Sequence, residues 1–242
     1  MEKFLIQGGI PLNGEVTPAG NKNAALPMLA ATLLSEEAII LHNVPQIRDV
    51  QDMRKLLESM GADVVDLGET SWQITAKALT PLDLDIELSR RIRASILLAG
   101  PITARCGELR LPPPGGDVIG RRRLDTHFLA LEALGAEVRY DRILEFNANG
   151  LKGANILFDE ASVTATENAV MAAVLAKGKT IIRNAASEPH VQELCHLLNS
   201  LGAKIEEIGS NTLHIEGVPS LQGGEFTIGA DYLEVISFVG AA

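Results

Sequence analysis

Among 242 residues only two are cysteine and 4% are aromatic, and 31 acidic residues against 21 basic ones leave a formal charge of −10. Each shortage excludes something. Cys106 and Cys195 form no C-x-x-C and match no zinc-ligand spacing, so both read as reduced thiols of a cytosolic protein. So few aromatics provide no base-stacking platform, and an acidic chain is a poor non-specific binder of nucleic acid or anionic membrane. The apolar stretch Ala24–Leu34 falls far short of a bilayer span and runs into Glu36-Glu37. The N-terminus meets Gly8-Gly9 and Pro11 before any apolar core of signal-peptide length. The five histidines are scattered, and no Ser-His-Asp trio or His/Cys cluster has useful spacing. His190 and His196, on one predicted helix, read as surface or capping residues. The expectation is a cytoplasmic protein with no metal, no cofactor, and no nucleic-acid or membrane partner. Its oligomeric state is left open. Apolar residue, by contrast, is plentiful: 46% hydrophobic content is ample for one sizeable core or two modest ones.

The chain's most unusual stretch is Leu111–Arg123, L-P-P-P-G-G-D-V-I-G-R-R-R. Its prolines and glycines rule out a helix or central strand through the first half. What remains is a loop with one carboxylate, Asp117, at a glycine-softened tip, followed by Arg121–Arg123. A mobile acid beside concentrated positive charge fits a lid that closes over an anionic ligand and delivers a proton. An ordinary surface loop with solvated arginines is the alternative. Gly115 to Arg121 has P-loop-like glycine spacing, but no Lys-[Ser/Thr] pair follows and no strand precedes it.

One unit is repeated three times. Met60-Gly61-Ala62, Leu134-Gly135-Ala136 and Leu201-Gly202-Ala203 each close an amphipathic helix, over 49–60, 124–134 and 189–201. The glycine supplies the left-handed cap in each. Two short strands follow every time: 63–67 with 72–75, 137–140 with 144–147, and 204–208 with 212–216. Upstream come a strand (38–43, 108–111, 180–184) and, before it, a more uniformly apolar helix (24–34, 92–99, 168–176). Helices that are apolar all round require burial on every side. The predicted architecture is therefore α/β and inverted, with buried helices inside, sheets outside and a layer of one-face-wet helices. It consists of three helix–strand–helix–strand–strand repeats, at about 21–79, 89–150 and 162–218. Phe4–Ile6 and Gly14–Val16 are expected as short strands, 225–228 as a strand, and 232–239 as the start of an apolar helix that the chain ends within.

The starts of the three apolar helices carry the other candidates. Asn21-Lys22-Asn23 offers an N-cap, unpaired N–H groups, a positive helix end and a lysine, which together suit a phosphate or carboxylate. A plain cap with a solvated lysine is equally consistent. In copy two, Ser89-Arg90-Arg91-Ile92-Arg93 puts Arg93 at the edge of a buried segment, where a guanidinium needs an anionic partner. In copy three, Ser162–Asn168 supplies hydroxyls and amides at the same place. Glu188-Pro189-His190 reads as turn chemistry.

Taken together, G-N-K-N-A-A-L-P (20–27), R-A-S (93–95), P-G-G-D-V-I-G-R (114–121), L-D-T-H (124–127), A-T-E-N (165–168) and R-N-A-A-S-E-P (183–189) resemble the enolpyruvyl transferases. The likeness extends from Lys3 to Ala242 and is nearest to members acting on UDP-N-acetylglucosamine. It implies an inside-out α/β barrel lobe at 20–229, with 1–19 and 230–242 as remnants of a second, truncated lobe, and a chain inactive alone. It implies phosphoenolpyruvate and UDP-N-acetylglucosamine as partners, joined at the sugar 3′-hydroxyl with release of phosphate. By the same resemblance Lys22 would bind phosphoenolpyruvate and Asn23 the amino sugar, while Arg93 and Arg122 would hold the sugar nucleotide and phosphate. Arg123, Leu124, Asp125 and Thr126 would line the uridine pocket, and Ser162, Val163 and Thr164 the diphosphate. Asp117 would be the lid acid, where Cys is common in the family. Arg123 stands where the motif usually has Pro, and Thr164 where Gly is usual. A transferase acting on shikimate 3-phosphate and a non-catalytic half-enzyme that binds a UDP-sugar are the competing readings.

Overall fold

The computed structural model describes residues 3–9, 11, 13–81, 84–115 and 123–241. Asp117 and Arg122 lie outside the described residues.

Copy one runs α1 (Lys22–Ala31), a 3-10 turn, β1 (Ile39–His42), α2 (Arg48–Ser59), β2 (Asp63–Gly68) and β3 (Ser71–Thr75). A short helix, α3 (Ile86–Arg91), leads to copy two: a 3-10 segment (Arg93–Leu98) continuous with α4 (Ala99–Cys106), then β4 (Glu108–Leu111), α5 (Asp125–Ala133), β5 (Glu137–Tyr140) and β6 (Leu144–Asn147). β7 (Asn155–Leu157) precedes copy three, which is α6 (Val163–Ala173), β8 (Lys179–Arg183), α7 (Pro189–Ser200), β9 (Lys204–Glu206) and β10 (Thr212–Glu216). β11 (Gly224–Thr227) and α8 (Tyr232–Ala241) follow. The predicted order therefore recurs three times.

Each amphipathic helix ends in the same way. After α2, Gly61 N–H donates to the Glu58 carbonyl and Ala62 N–H to Leu57, at 3.0 and 3.1 Å. Gly135 with Ala136 and Gly202 with Ala203 repeat both bonds after α5 and α7, and all three glycines have φ between 92 and 101°. That is a full Schellman closure, which a residue with a Cβ makes only under strain.

The helices that are apolar all round form the centre. In α1 every residue from Ala24 to Ala31 is buried, and α6 is buried from Ala165 to Ala173. Three sheets surround them: β11-β1-β3-β2, β7-β8-β10-β9 and β4-β6-β5. Their strands alternate, with Ile39 and Leu41 of β1 or Leu109 and Leu111 of β4 turned inward. Each fully buried side chain of that size contributes about 1.5–3 kcal/mol.

Several expectations need correction. The second inner helix is not one α-helix over 92–99. Pro101 has no N–H for the carbonyl of Leu97, so a 3-10 segment precedes the α-helix. The third starts at Val163, earlier than expected, directly after Ser162, which is extended (φ −81°, ψ 122°) at the N-cap position. The Thr166 hydroxyl then bonds back to the Ser162 carbonyl at 2.8 Å, so the polar residues join the first turn. Phe4–Ile6 and Gly14–Val16 are not strands. Phe4, Leu5 and Ile6 are at least 90% exposed, and a strand without a partner has no ladder to hold it. β7 and α3 were not expected from the sequence.

Candidate functional site

At the head of α1, the Asn21 carboxamide oxygen accepts from the N–H groups of Asn23 and Ala24 at 2.7 and 3.3 Å. The Asn21 N–H is itself held by the Gly229 carbonyl at 2.9 Å. A Cβ at Gly20 would overlap the carbonyl oxygen of Asn43, so glycine is required for the chain to enter there. Lys22 is thereby fixed as the first helical residue, and its Nζ lies 3.2 Å from Asp49 Oδ2 at the start of α2.

Lys22, Asn23 and Asp49 form one side of a cleft of about 580 Å3. Copy two contributes Arg91 and Arg93, on either side of buried Ile92. Copy three contributes Val163, Thr164 and Glu167 from α6, and Glu188 and His190 from the start of α7. Lys22, Asn23, Arg93, Val163 and Thr164, proposed from sequence on three separate repeats, thus meet in one place, with Ser162 at the N-cap position of the helix beside it. Arg123, Leu124, Asp125 and Thr126 are not among the lining residues. They form the head of α5, where Arg123 grips the Asp125 carboxylate at 2.6 Å and the Thr126 hydroxyl donates to Asp159 at 3.1 Å.

His127 joins that helix head to the cleft. Asn168 Oδ1 accepts from the Gly100 N–H at 2.6 Å, and its Nδ2 donates to the Ile96 carbonyl at 2.9 Å, which fixes the amide's orientation. The same Nδ2 lies 2.9 Å from His127 Nδ1, so that ring nitrogen must be the acceptor and Nε2 must carry the hydrogen. Nε2 then donates to Thr164 Oγ1 at 3.1 Å. The Thr164 hydroxyl is left with its own hydrogen free to donate. Burial and, secondarily, the positive charge of Arg93 lower the His127 pKa to about 3, which keeps the ring neutral.

Two further groups were misread or missed. His190, expected as a surface or capping residue, is 5% exposed. Its ring stacks on Tyr232 with centroids 6.3 Å apart, and burial lowers its pKa. His196 is exposed, as expected. Asp49, Arg91, Glu167 and Glu188 were not singled out from sequence as ligand residues. The available signal was positional: Asp49 and Glu188-Pro189-His190 sit at the starts of the capped helices in copies one and three. Cys195 is buried, and burial pushes its thiol up to about 12, consistent with an unreactive reduced cysteine.

Chemically, the cleft sets Lys22, Arg91 and Arg93 beside the N-terminal ends of α1 and α6. That combination suits phosphate or carboxylate oxygens. Among the described residues no group of three or more His, Cys, Asp or Glu could hold a metal ion, and no helix is long and apolar enough to cross a membrane.

Comparison with known proteins agrees with this architecture. The chain is 56% identical over 242 residues to UDP-N-acetylglucosamine 1-carboxyvinyltransferase of Treponema denticola, covering all of this chain and 57% of that one. Its counterpart in Bradyrhizobium diazoefficiens is 55% identical over 240 residues, with 99% and 56% covered. The chain thus spans little more than half the length of these relatives. Among solved structures, the enolpyruvyl transferase NikO from Streptomyces tendae superposes with a TM-score of 0.83 at 21% identity, covering 98% of this chain and 56% of that one. EPSP synthase from Acinetobacter baumannii gives 0.74 at 18%, covering 95% and 53%. Residues 6–242 match the profile described as EPSP synthase (3-phosphoshikimate 1-carboxyvinyltransferase), and with nearly the whole sequence inside that match, the chain belongs to the EPSP synthase family.

Proposed function

We propose that this chain carries the first-lobe share of an enolpyruvyl transfer from phosphoenolpyruvate to the 3′-hydroxyl of UDP-N-acetylglucosamine, which opens peptidoglycan synthesis in the cytoplasm. The observation that carries the reading is the convergence of Lys22, Arg93 and Thr164, one from each repeat, on a single cleft. The names of relatives sharing half or more of their aligned residues with it support the nucleotide-sugar substrate.

In this reading Lys22 neutralises the charge of phosphoenolpyruvate, Arg93 holds the sugar nucleotide, and Asp49 holds the Lys22 ammonium in place. Asn23 contacts the amino sugar. Ser162, Val163 and Thr164 meet the diphosphate at the head of α6, and Arg123 to Thr126 the uridine. The sugar hydroxyl adds to C2 of phosphoenolpyruvate as C3 takes a proton. The tetrahedral product then gives up a proton from C3 as phosphate leaves from C2, which restores the C2–C3 double bond, while the cations stabilise the charge throughout. Asp117 is the proposed acid for C3 and Arg122 a proposed phosphate ligand. A carboxyl with an ordinary pKa near 3.9 serves as an acid at neutral pH only if burial raises it.

The test is calorimetry of this chain with UDP-N-acetylglucosamine and with shikimate 3-phosphate. Binding of the first and not the second is expected, and R93A should weaken it by about tenfold or more, the order of one lost charged hydrogen bond. Preference for shikimate 3-phosphate would refute the substrate assignment.

A further inference from the structure

Glu167 has no role in the chemistry above, yet it is the one residue of α6 with a buried, unpartnered side-chain atom among the described residues. It is 1% exposed, its Oε1 has no hydrogen-bond partner, and it lines the cleft. Its neighbours are already engaged. The Thr166 hydroxyl donates to Ser162 and accepts from the Ala186 N–H at 3.0 Å, Thr164 accepts from His127, and the Asn168 amide is fully used. Glu167 follows Val163 by one turn and Thr164 by three residues, so the three share a helix face, and that face is the cleft wall.

A buried polar atom with no partner destabilises the fold, and such atoms are few in native proteins. This one lies on a cleft wall, where an incoming ligand can supply what the protein does not. Burial, and secondly the negative charge of Glu188, raise its pKa well above the usual carboxylate range. A protonated carboxyl donates one hydrogen bond. The anionic parts of a ligand have Lys22, Arg91 and Arg93 to meet, so the partner of an uncharged acid is an uncharged oxygen.

We propose that Glu167 is a binding residue that donates a hydrogen bond to a hydroxyl or carbonyl oxygen on the sugar portion of the nucleotide sugar. The assignment rests on the proposed function, and the experiment separates the two. Calorimetry with UDP-N-acetylglucosamine and with UDP alone is run on the wild-type chain, E167Q and E167M. Gln keeps a neutral donor, so E167Q should bind both ligands within about twofold of wild type. Met keeps the bulk without the donor, so E167M should bind UDP-N-acetylglucosamine about tenfold more weakly, the scale of one lost hydrogen bond, and UDP unchanged. E167M should also melt at a higher temperature, because the orphaned oxygen is gone; this separates lost binding from lost fold. In infrared difference spectra, wild type minus E167Q should contain a protonated-carboxyl carbonyl band that shifts with UDP-N-acetylglucosamine and not with UDP. If wild type binds neither ligand, the functional reading fails and carries this one with it. If wild type binds both and E167M matches it, or loses both ligands equally, or the carbonyl band is absent or unmoved, the assignment of Glu167 alone is overturned.

Discussion

Repeats one and three are built alike at a point where repeat two is not. Asn43 and Asn184, each directly after a strand, have left-handed φ of 57 and 56°. Asn43 Nδ2 donates to the Ile228 carbonyl at 2.9 Å, and the Ile228 N–H donates back to His42 at 3.0 Å. Asn184 makes the same bond to Phe158 at 3.1 Å, and the Phe158 N–H returns one to Arg183. Both asparagines thus fasten a fourth, parallel strand, β11 beside β1 and β7 beside β8. In repeat two the corresponding residue is Pro112, whose φ is locked negative and whose side chain has no donor. Its sheet has three strands among the described residues. The sequence that gives up the fastening leads instead through Gly115, where a Cβ would overlap the Arg90 carbonyl, toward the candidate acid.

Repeat two is held from inside instead. Where the 3-10 segment passes into α4, the Asn168 amide of repeat three bonds both the Ile96 carbonyl and the Gly100 N–H and also reaches His127. Asn168→Ala should therefore have the largest effect of any single change considered, about 4 kcal/mol in denaturant unfolding, because it leaves buried groups of repeat two unpaired. A loss under 1 kcal/mol would mean that repeat two has another anchor. The same junction has a pH signature. Folded His127 titrates near 3 and unfolded histidine near 6.5, so between those values the unfolded chain binds more protons. Stability is fully present above pH 6.5 and falls as pH drops through that window, by up to about 1.4 kcal/mol per pH unit. H127Q should flatten that slope. Glu167 acts in the opposite sense: its raised pKa makes the fold lose stability as pH rises above the carboxylate range.

The asparagine fastenings come next in size. Asn184→Ala or Asn43→Ala combines left-handed strain with a lost hydrogen bond, about 2 kcal/mol together, and the glycine variants should recover roughly half by removing the strain. Pro112→Ala should stay within about 0.5 kcal/mol, since that position fastens nothing. Equal losses at 43, 184 and 112 would erase the distinction between the repeats.

Much of this was legible in the sequence because it depends on local chemistry. The Gly-Ala closures and the apolar inner helices follow from backbone rules, and each recurs three times; the N-cap at Asn21 follows from the same rules. Lys22, Arg93 and Thr164 could be nominated because each stands at the same point of its repeat. What escaped depends on contacts distant in sequence. Nothing local shows that Asn168 would break into α4, or that His127 would lie beneath Thr164. His190 looked wet because its helix has one wet face, but Tyr232, 42 residues later, covers it. The expected strands at Phe4–Ile6 and Gly14–Val16 followed strand propensity, which sets no structure without a neighbouring strand, and none pairs with them among the described residues.

The smallest effect tests whether the special joint of repeat two reaches the cleft. His127 gives its only hydrogen to Thr164, so the threonine hydroxyl must point its own hydrogen elsewhere, and Thr164 lines the cleft. Thr164→Val removes the acceptor for a buried histidine and the donor toward ligand at once. It should cost about 1 kcal/mol of stability and weaken UDP-N-acetylglucosamine binding about fivefold. T164S keeps the hydroxyl and should match wild type in both. If T164V lost stability but bound the nucleotide sugar unchanged, the histidine–threonine link would be a brace between repeats and nothing more. The inner anchoring of repeat two would then have no bearing on the ligand.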